Sequence, residues 1–493
     1  MEHPLRVDEY IPSAAAAVIH DEPVAAPAPA TPLPALPNLP ASDALLLQPN
    51  DADYAKYLPS INLRKQLRPA LRAVCKTEHA VAVMVDWVRT NNLKFAVRCG
   101  GHSYEGFSQS TDVVIDVRGL KKITVDKPNG LVTAGSGVSL YELYQAVAAQ
   151  GLAVQAGSCP TVGLSGHLTG GGHGLLARSH GLTCDTLQQV TIVDSQAYTR
   201  QASATSEPDL FWACRGGGGG SFGVATEFRI GVFPLATVRV FGVSWILSPS
   251  HAARLFTAWQ AWAPNAPRTI TPIMKVGPSG NGKVKLRCIG QSIGTEAELR
   301  SQLAPLVALD TPSSALSIRS MSFMDGINWF GGVTPGQPVE YASVYMKAKS
   351  DYVLSPLGTT AIQAMMAAAA AASGVVMLCD AYGGKIADVA ADASAFPRRA
   401  GTQFCIQYYA EWLKASDSPG RIAQVNNLYA AMRPPVPGAS YVNYCDLDLP
   451  DYATAYWGGN LARLSAVKRQ YDPDNLFHHA QSVPLPPAAP PVA

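Results

Sequence analysis

Three glycine-rich segments, all between residues 98 and 223, constrain this chain more than any other feature. The first reads Arg98-Cys-Gly-Gly-His102-Ser-Tyr-Glu-Gly106. The second is Gly157-Ser-Cys159-Pro-Thr-Val-Gly-Leu-Ser-Gly166-His167-Leu-Thr-Gly-Gly-Gly172-His-Gly174. The third is Arg215-Gly-Gly-Gly-Gly-Gly220-Ser-Phe-Gly223. Glycine lets main-chain amides approach a pyrophosphate closely and point at it. Arg98 offers a fixed positive charge beside the first segment. None of the three fits a dinucleotide or P-loop fingerprint: the first lacks G-x-G-x-x-G, and no lysine sits at a P-loop position. Singly, each is a tight turn. Three in one lobe, two of them holding a central His or Cys, read as one binding site.

A chain of 493 residues exceeds what one core usually supports, so two lobes and tails are expected. The balance of 47% hydrophobic and 15% charged residues is that of a globular protein. A net charge of +2 gives no electrostatic case for nucleic acid or an anionic membrane. No apolar run reaches the roughly 18–20 residues that span a bilayer; the alanine-rich stretch Met365–Gly374 is too short. The N-terminus shows no basic start followed by an apolar core, so a cytoplasmic location is expected. Nine cysteines without close pairing predict buried thiols rather than a disulfide scaffold or a metal site. Cys159 needs a separate explanation.

Residues 1–45 read as a disordered tail, because Pro23–Pro40 is Ala/Pro-rich and uncharged. Residues 65–236 alternate strands and helices, as in a nucleotide-binding lobe. Glu78–Asn91 is a predicted helix with Val81, Met84, Val85 and Val88 at helical spacing, and Ser139–Gln150 is a second. Strands are predicted at Lys94–Arg98, Val113–Val117, Leu131–Ala134, Thr183–Val193 and Val224–Ile230. Residues 237–440 read as a second lobe, with predicted strands Val238–Trp245, Lys283–Ile289, Ser343–Ala348 and Val375–Asp380 and a helix at Thr360–Ala372. Residues 441–485 return to the aromatic and polar character of a site.

At the glycine-rich segments the sequence resembles the berberine-bridge-enzyme-like branch of the vanillyl-alcohol-oxidase flavoproteins, over about residues 65–485. The resemblance implies an α+β, two-lobed fold: a PCMH-type FAD-binding domain, and a substrate domain whose antiparallel sheet is covered by helices. It implies FAD held covalently twice, through His102 to the flavin 8α-methyl and through Cys159 to flavin carbon 6. His167 matches a histidine near flavin N1 and the ribityl chain. Tyr456-Trp457-Gly-Gly-Asn460 is similar to a stretch whose Asn lies near the flavin, and Asp472-Pro-Asp-Asn475-Leu-Phe477 with Gln481-Ser482 to the C-terminal signature. The expected cofactor contacts are therefore His102, Cys159, Arg98, Gly100, Gly101, Ser103, Thr161, Val162, Gly166, His167, Gly172, Gly174, Gly223 and Asn460, with no metal. Val162, the third residue after the linking cysteine, occupies the position that gates oxygen in the family. A small branched side chain there implies an oxidase.

On the substrate side, Tyr441-Val-Asn443-Tyr444 resembles the family's Y-x-N-Y stretch, which makes Tyr444 the candidate base. An ordinary phenol titrates near 10, so it needs help to serve as one. Asp380 and Tyr382, two apart on Cys379–Gly384, are expected to face one side together, and Gln407 is a further polar candidate. Val376 and Leu378 stand where sugar-binding relatives carry aromatic and amide side chains, and Phe396-Pro-Arg398-Arg399 departs from the family's F-P-H-R. Trp329, Phe330, Tyr341 and Tyr345 are candidates for stacking on a substrate. The expected function is an oxidase removing hydride from an alcohol or hemiacetal, sugar or not, and passing electrons to oxygen as hydrogen peroxide. A tailoring oxidoreductase that oxidises an amine or closes a ring on the same flavin is the alternative. The partners expected are a small molecule and oxygen, without nucleic acid or membrane; the sequence is silent on oligomeric state.

Overall fold

The computed structural model describes residues 33–487 apart from Pro338, Glu340, Tyr341 and Pro437. Its first sheet joins Ala44–Leu47, Leu71–Cys75, Val113–Asp116 and Phe95–Arg98 in that order. The last three strands run parallel, and Ala44–Leu47 is antiparallel at the edge. The helix Glu78–Thr90 lies on this sheet. The hydroxyl of Thr77 accepts the Ala80 amide at 3.2 Å, and Glu78 complements the dipole in the first turn. Val81, Met84, Val85 and Val88 are all buried, as their spacing requires. Residues 33–42 differ from a coreless tail: Leu33 and Leu39 pack on this core, and Trp87 Nε1 donates to the Ala35 carbonyl. Two leucines and one bond give this proline-rich strip a surface to follow. Residues 1–32 lie outside the described residues.

A second, five-stranded sheet is antiparallel: Ile123–Asp126, Leu131–Gly135, Val224–Gly231, Leu187–Val193 and Thr199–Ser203. The strand expected from Thr183 starts only at Leu187. Thr183–Asp185 is a single tight turn, in which the Asp185 carboxylate accepts the Leu182 amide at 2.8 Å. The helix Leu140–Ala148 opens on a reciprocal cap between Ser139 and Glu142.

The third sheet has seven antiparallel strands: Ser314–Ser322, Thr237–Leu247, Val284–Ser292, Ile270–Pro278, Val376–Ala381, Phe404–Trp412 and Tyr345–Val353. Helices Pro249–Trp262, Glu296–Val307, Thr359–Ala371 and Ser418–Met432 cover one face, burying Phe256, Trp259, Met365, Met366 and Leu428 against it. Side chains alternate between faces of a strand. Register sets Leu378 opposite Gln407, and Asp380 opposite both Cys405 and Ile273. Ile273, Leu378, Asp380, Gln407 and Tyr409 thus share the uncovered face, which fronts the glycine-rich segments across a cavity. The chain then returns: Tyr456, Trp457, Leu464, Val467 and Tyr471 join the core under the five-stranded sheet. Among the described residues no helix is long and apolar enough to cross a membrane.

Candidate active site

The three glycine-rich segments converge on a cavity of about 1020 Å³ that the seven-stranded sheet closes from the other side. Gly100 and Gly163 are where the first two segments cross. A Cβ on Gly163 would lie 2.2 Å from Cys99 Sγ and 2.4 Å from the Gly100 nitrogen. Gly217, Gly218, Gly219 and Gly220 border the cavity from the third segment, and Gly218 and Gly220 hold φ of 87° and 76°, which only glycine adopts freely. At Gly166 a Cβ would meet nothing within 4 Å, so the absent side chains leave room for a ligand against bare backbone.

Inside this cradle, His102 Nε2 and Thr161 Oγ1 are 3.0 Å apart, and Cys159 Sγ lies 3.7 Å from the same hydroxyl. One threonine therefore links the two expected attachment residues. Burial and the nearby Arg98 charge push His102 down to about 4, so its imidazole is neutral. Of the nine cysteines, all free, Cys159 is the exposed one, and it lines the cavity. Although its surface opens to the cavity, the enclosing walls push its thiol up, and hydrogen bonding with Thr161 opposes that shift. His167 Nε2 accepts the Gly157 amide at 2.9 Å, and burial holds the ring down at about 3. The ring is neutral with one nitrogen engaged as acceptor, so its proton sits on Nδ1.

Gly100, Gly101, Ser103, Thr161, Val162 and Gly166 also line the cavity, and five expected contacts do not. Arg98 is fully buried in its strand, opposite Asp116, and donates to the Pro59 carbonyl. Gly172 gives its amide to Tyr441 Oη at 2.9 Å. Gly174 and Gly223 are close backbone crossings, where a Cβ would come within 1.8 Å of the Ala156 oxygen and 2.3 Å of the Val193 oxygen. Asn460 Nδ2 binds the carbonyls of Ala391 and Ser394 at 2.8 and 3.1 Å. These residues shape the walls from behind.

On the sheet side, Asp380 and Tyr444 both line the cavity, close enough that each shifts the other's titration. Burial raises Asp380 to about 7, with Tyr444 opposing it. Burial and the Asp380 charge push Tyr444 well above the ordinary phenol. Gln407 Nε2 donates to Tyr104 Oη at 2.8 Å, and the Tyr104 ring lies parallel to Tyr444, with centroids 5.8 Å apart and planes at 10°. The sequence reading left out Tyr104, although it stands two residues after His102 in the same segment. Tyr382 turns away from Asp380. It lies just past the end of the strand, its hydroxyl meets Tyr352 Oη at 3.0 Å, and its ring stacks on His173. The two-residue spacing holds only within a strand, and this one stops at Ala381.

Leu378 and Phe330 line the cavity, whereas Val376, Trp329 and Tyr345 do not; Tyr345 stacks on Trp412 instead. Tyr341 lies outside the described residues. Arg399 grips Asp185 with two bonds of 2.7 Å, and Arg398 donates to the Ala455 carbonyl at 3.0 Å, so the altered F-P-R-R stretch serves packing between segments.

Residues 69–203 match the FAD binding domain family, and residues 440–484 match the family of berberine and berberine-like proteins. The uncharacterised FAD-linked oxidoreductase YgaK of Bacillus subtilis (strain 168) is 30% identical over 88% of this chain and 95% of its own. Berberine bridge enzyme-like 25 of Arabidopsis thaliana is 31% identical over 80% of this chain and 79% of its own. Among solved structures, Physcomitrella patens BBE-like 1 superposes with a TM-score of 0.85 at 28% identity, covering 91% of this chain and 98% of that one. Berberine bridge enzyme from Eschscholzia californica gives 0.82 at 25% identity, covering 90% and 97%. Fold and cradle together define a two-lobed, α+β FAD-binding protein. The chain belongs to the berberine-bridge-enzyme-like family of FAD-linked oxidoreductases, and FAD is its cofactor.

The crossing at Gly163 yields a direct test. Gly163→Ala forces apart the segments carrying His102 and Thr161, so the purified protein should hold clearly less flavin per chain than wild type. The ratio of flavin to protein absorbance measures this, and full occupancy in the variant would contradict the tight crossing.

Proposed function

We propose that the chain is an oxidase that removes hydride from an alcohol or hemiacetal carbon and passes the electrons to oxygen. In balance, the substrate gives up the hydrogens of one C–H and one O–H bond with two electrons and becomes a carbonyl compound. One molecule of oxygen takes up both electrons and two protons and leaves as hydrogen peroxide. FAD, when bound, supplies the two-electron acceptor and the site of oxygen reduction. The pairing of Tyr444 with Asp380 on the cavity wall carries this reading. An alcohol cannot lose hydride readily while it keeps its hydroxyl proton, so a base must stand at that oxygen. Tyr444 alone is a poor base, because burial and the Asp380 charge both oppose a phenolate. Asp380, raised to about 7, is half ionised near neutrality and takes the phenol proton as Tyr444 accepts that of the substrate. Tyr444 is then a relay and Asp380 the final acceptor.

The rest of the wall favours an apolar substrate body over a sugar. Ile273, Phe330, Val333, Met346, Leu378 and Trp412 share the cavity with the polar group formed by Tyr104, Asp380, Gln407 and Tyr444, and outnumber the further polar side chains Gln337 and Glu411. Sugar hydroxyls buried against such side chains would lack partners, which costs roughly 1–3 kcal/mol for each unsatisfied group. His102 and Cys159, on either side of Thr161, are the attachment points we assign to the flavin, and the Nδ1 proton of His167 is a donor available to it.

Three outcomes are expected. Acid-precipitated wild type should stay yellow, His102→Ala and Cys159→Ala should each keep one covalent bond, and the double variant should release free FAD. Flavin lost from wild type on precipitation would rule out the attachment. In anaerobic stopped flow, flavin reduction by a reactive alcohol should quicken with rising pH through about 7, as Asp380 ionises. Asp380→Asn should abolish that limb, and both it and Tyr444→Phe should slow reduction by about 10²–10⁴-fold without changing flavin content. An unaltered pH limb in Asp380→Asn would move the titration to another group. Val162 borders the cavity, and one added methylene is felt in a close-packed site. Reduced wild type should reoxidise rapidly in air and Val162→Leu slowly; a sluggish wild type that reduces quinones quickly would make the protein a dehydrogenase.

A further inference from the structure

Behind the paired tyrosines lies a buried charge cluster that the proton relay does not use. Lys347 Nζ reaches Glu105 Oε1 at 2.8 Å, Asp446 Oδ1 at 2.5 Å and Asp448 Oδ2 at 3.0 Å. Lys349 Nζ reaches Asp446 Oδ2 at 2.6 Å and Asp448 Oδ2 at 2.9 Å, and Lys65 closes on Glu105 Oε2 at 2.9 Å. The side chains of Lys347, Lys349, Glu105 and Asp446 are each 5% exposed or less. Three lysines face three carboxylates, so the cluster is formally neutral, which is how such burial is tolerated.

The placement of its members is specific. Glu105 directly follows Tyr104, and Asp446 stands two residues after Tyr444. Lys347 directly follows Met346, whose side chain lines the cavity. Further bonds join the same three segments. Asn62 Nδ2 donates to the carbonyls of Tyr104 and Met346 at 2.6 and 3.2 Å. Cys445 Sγ lies 3.9 Å from Ser103 Oγ, beside Tyr104. From the far side, Gln481 Nε2 donates to the Asp446 carbonyl at 2.7 Å, and its Oε1 accepts from Tyr456 Oη at 2.8 Å. The segments carrying Tyr104 and Tyr444 are 340 residues apart by number (444 − 104), and one ammonium group clamps their acidic neighbours.

We propose that Lys347 is a positioning residue: by holding Glu105 and Asp446 on one ammonium, it fixes the parallel placement of Tyr104 and Tyr444 where the substrate hydroxyl is received. This rests on the alcohol-oxidising reading of the same site. A relay works only at hydrogen-bond reach, and a misplacement of about 1 Å can cost on the order of 10²-fold in rate. Of the apolar wall that binds the substrate body, only Met346 adjoins the clamp. Loss of the clamp should therefore slow hydride removal much more than it weakens binding.

The test uses the flavin-loaded enzyme and the alcohol that reduces wild type fastest in a panel. Lys347→Met should slow the limiting rate of anaerobic reduction about 10- to 100-fold, with the half-saturating alcohol concentration changed less than about threefold. Lys347→Arg, which can still bridge two carboxylates, should recover most of the rate. Glu105→Gln and Asp446→Asn each cut one arm and keep shape, so they carry the test if Lys347→Met does not fold. Combining either with Lys347→Met should add little further loss. A readout independent of alcohol oxidation comes from crystal structures of Lys347→Met, Glu105→Gln and Asp446→Asn, in which the Tyr104 and Tyr444 rings should leave the 5.8 Å, 10° arrangement. Rings unmoved in all three variants, or rates lowered only in proportion to flavin content, would overturn the clamp. A wild type that no alcohol reduces, with rings displaced in the variants, would instead overturn the alcohol reading and leave the clamp standing.

Discussion

The active cavity exists only because two lobes are held at a fixed separation, and the buried guanidinium of Arg178 is a principal tie between them. It projects from the short helix Ala177–His180, just beyond the second glycine-rich segment. It donates to the carbonyls of Pro264, Ala266 and Pro267 before strand Ile270–Pro278, to that of Ile270 at its start, and to that of Tyr382 just past strand Val376–Ala381. Burial lowers Arg178 only to about 10, so it stays charged at neutral pH. A charged donor to carbonyls is stronger than a neutral one, and a planar guanidinium fixes direction as well as distance. Asp380 stands two residues before one of these acceptors. The position of Asp380 on the cavity wall is thus tied to the short helix that follows Gly174.

The same economy recurs across the site. Thr161 joins His102 and Cys159, Asn62 joins Tyr104 and Met346, and Lys347 joins Glu105 and Asp446. In each case one polar side chain satisfies groups from segments distant in sequence. Unpaired, those groups would be costly to bury. The cradle is made of backbone because a ligand must lie against it. The opposite wall is made of side chains, among them the polar groups of Tyr104, Asp380, Gln407 and Tyr444. Burial keeps His102, His167 and His173 neutral, so these three present imidazoles rather than cations.

Much of this was legible in the sequence, and the reasons are local. Helix Glu78–Thr90 follows from its apolar spacing and its cap, and the central strands of the third sheet from their β-branched and aromatic runs. The convergence of the glycine segments followed from what glycine permits. What was missed depended on ends and neighbours. Tyr382 was paired with Asp380 on the assumption that the strand continued past Ala381. Arg98 suggested a phosphate contact, yet its strand faces it toward Asp116. Strands Ile270–Pro278, Ser314–Ser322 and Phe404–Trp412 were not picked out, because fully buried or edge positions lack clean alternation.

The sequence by itself pointed to a backbone cradle for a ligand, because glycine runs let main-chain amides approach it closely, and its family resemblance gave FAD as that ligand. The tertiary structure alone decided which polar groups meet. Asp380 and Tyr444, Tyr104 and Gln407, and Lys347 with its two carboxylates come from segments separated by tens to hundreds of residues. Their proton affinities are properties of burial and of each other. No local pattern encodes a contact across a sheet face, so which of the candidate polar residues meet, and the charge cluster behind them, become visible only once the chain has folded back on itself.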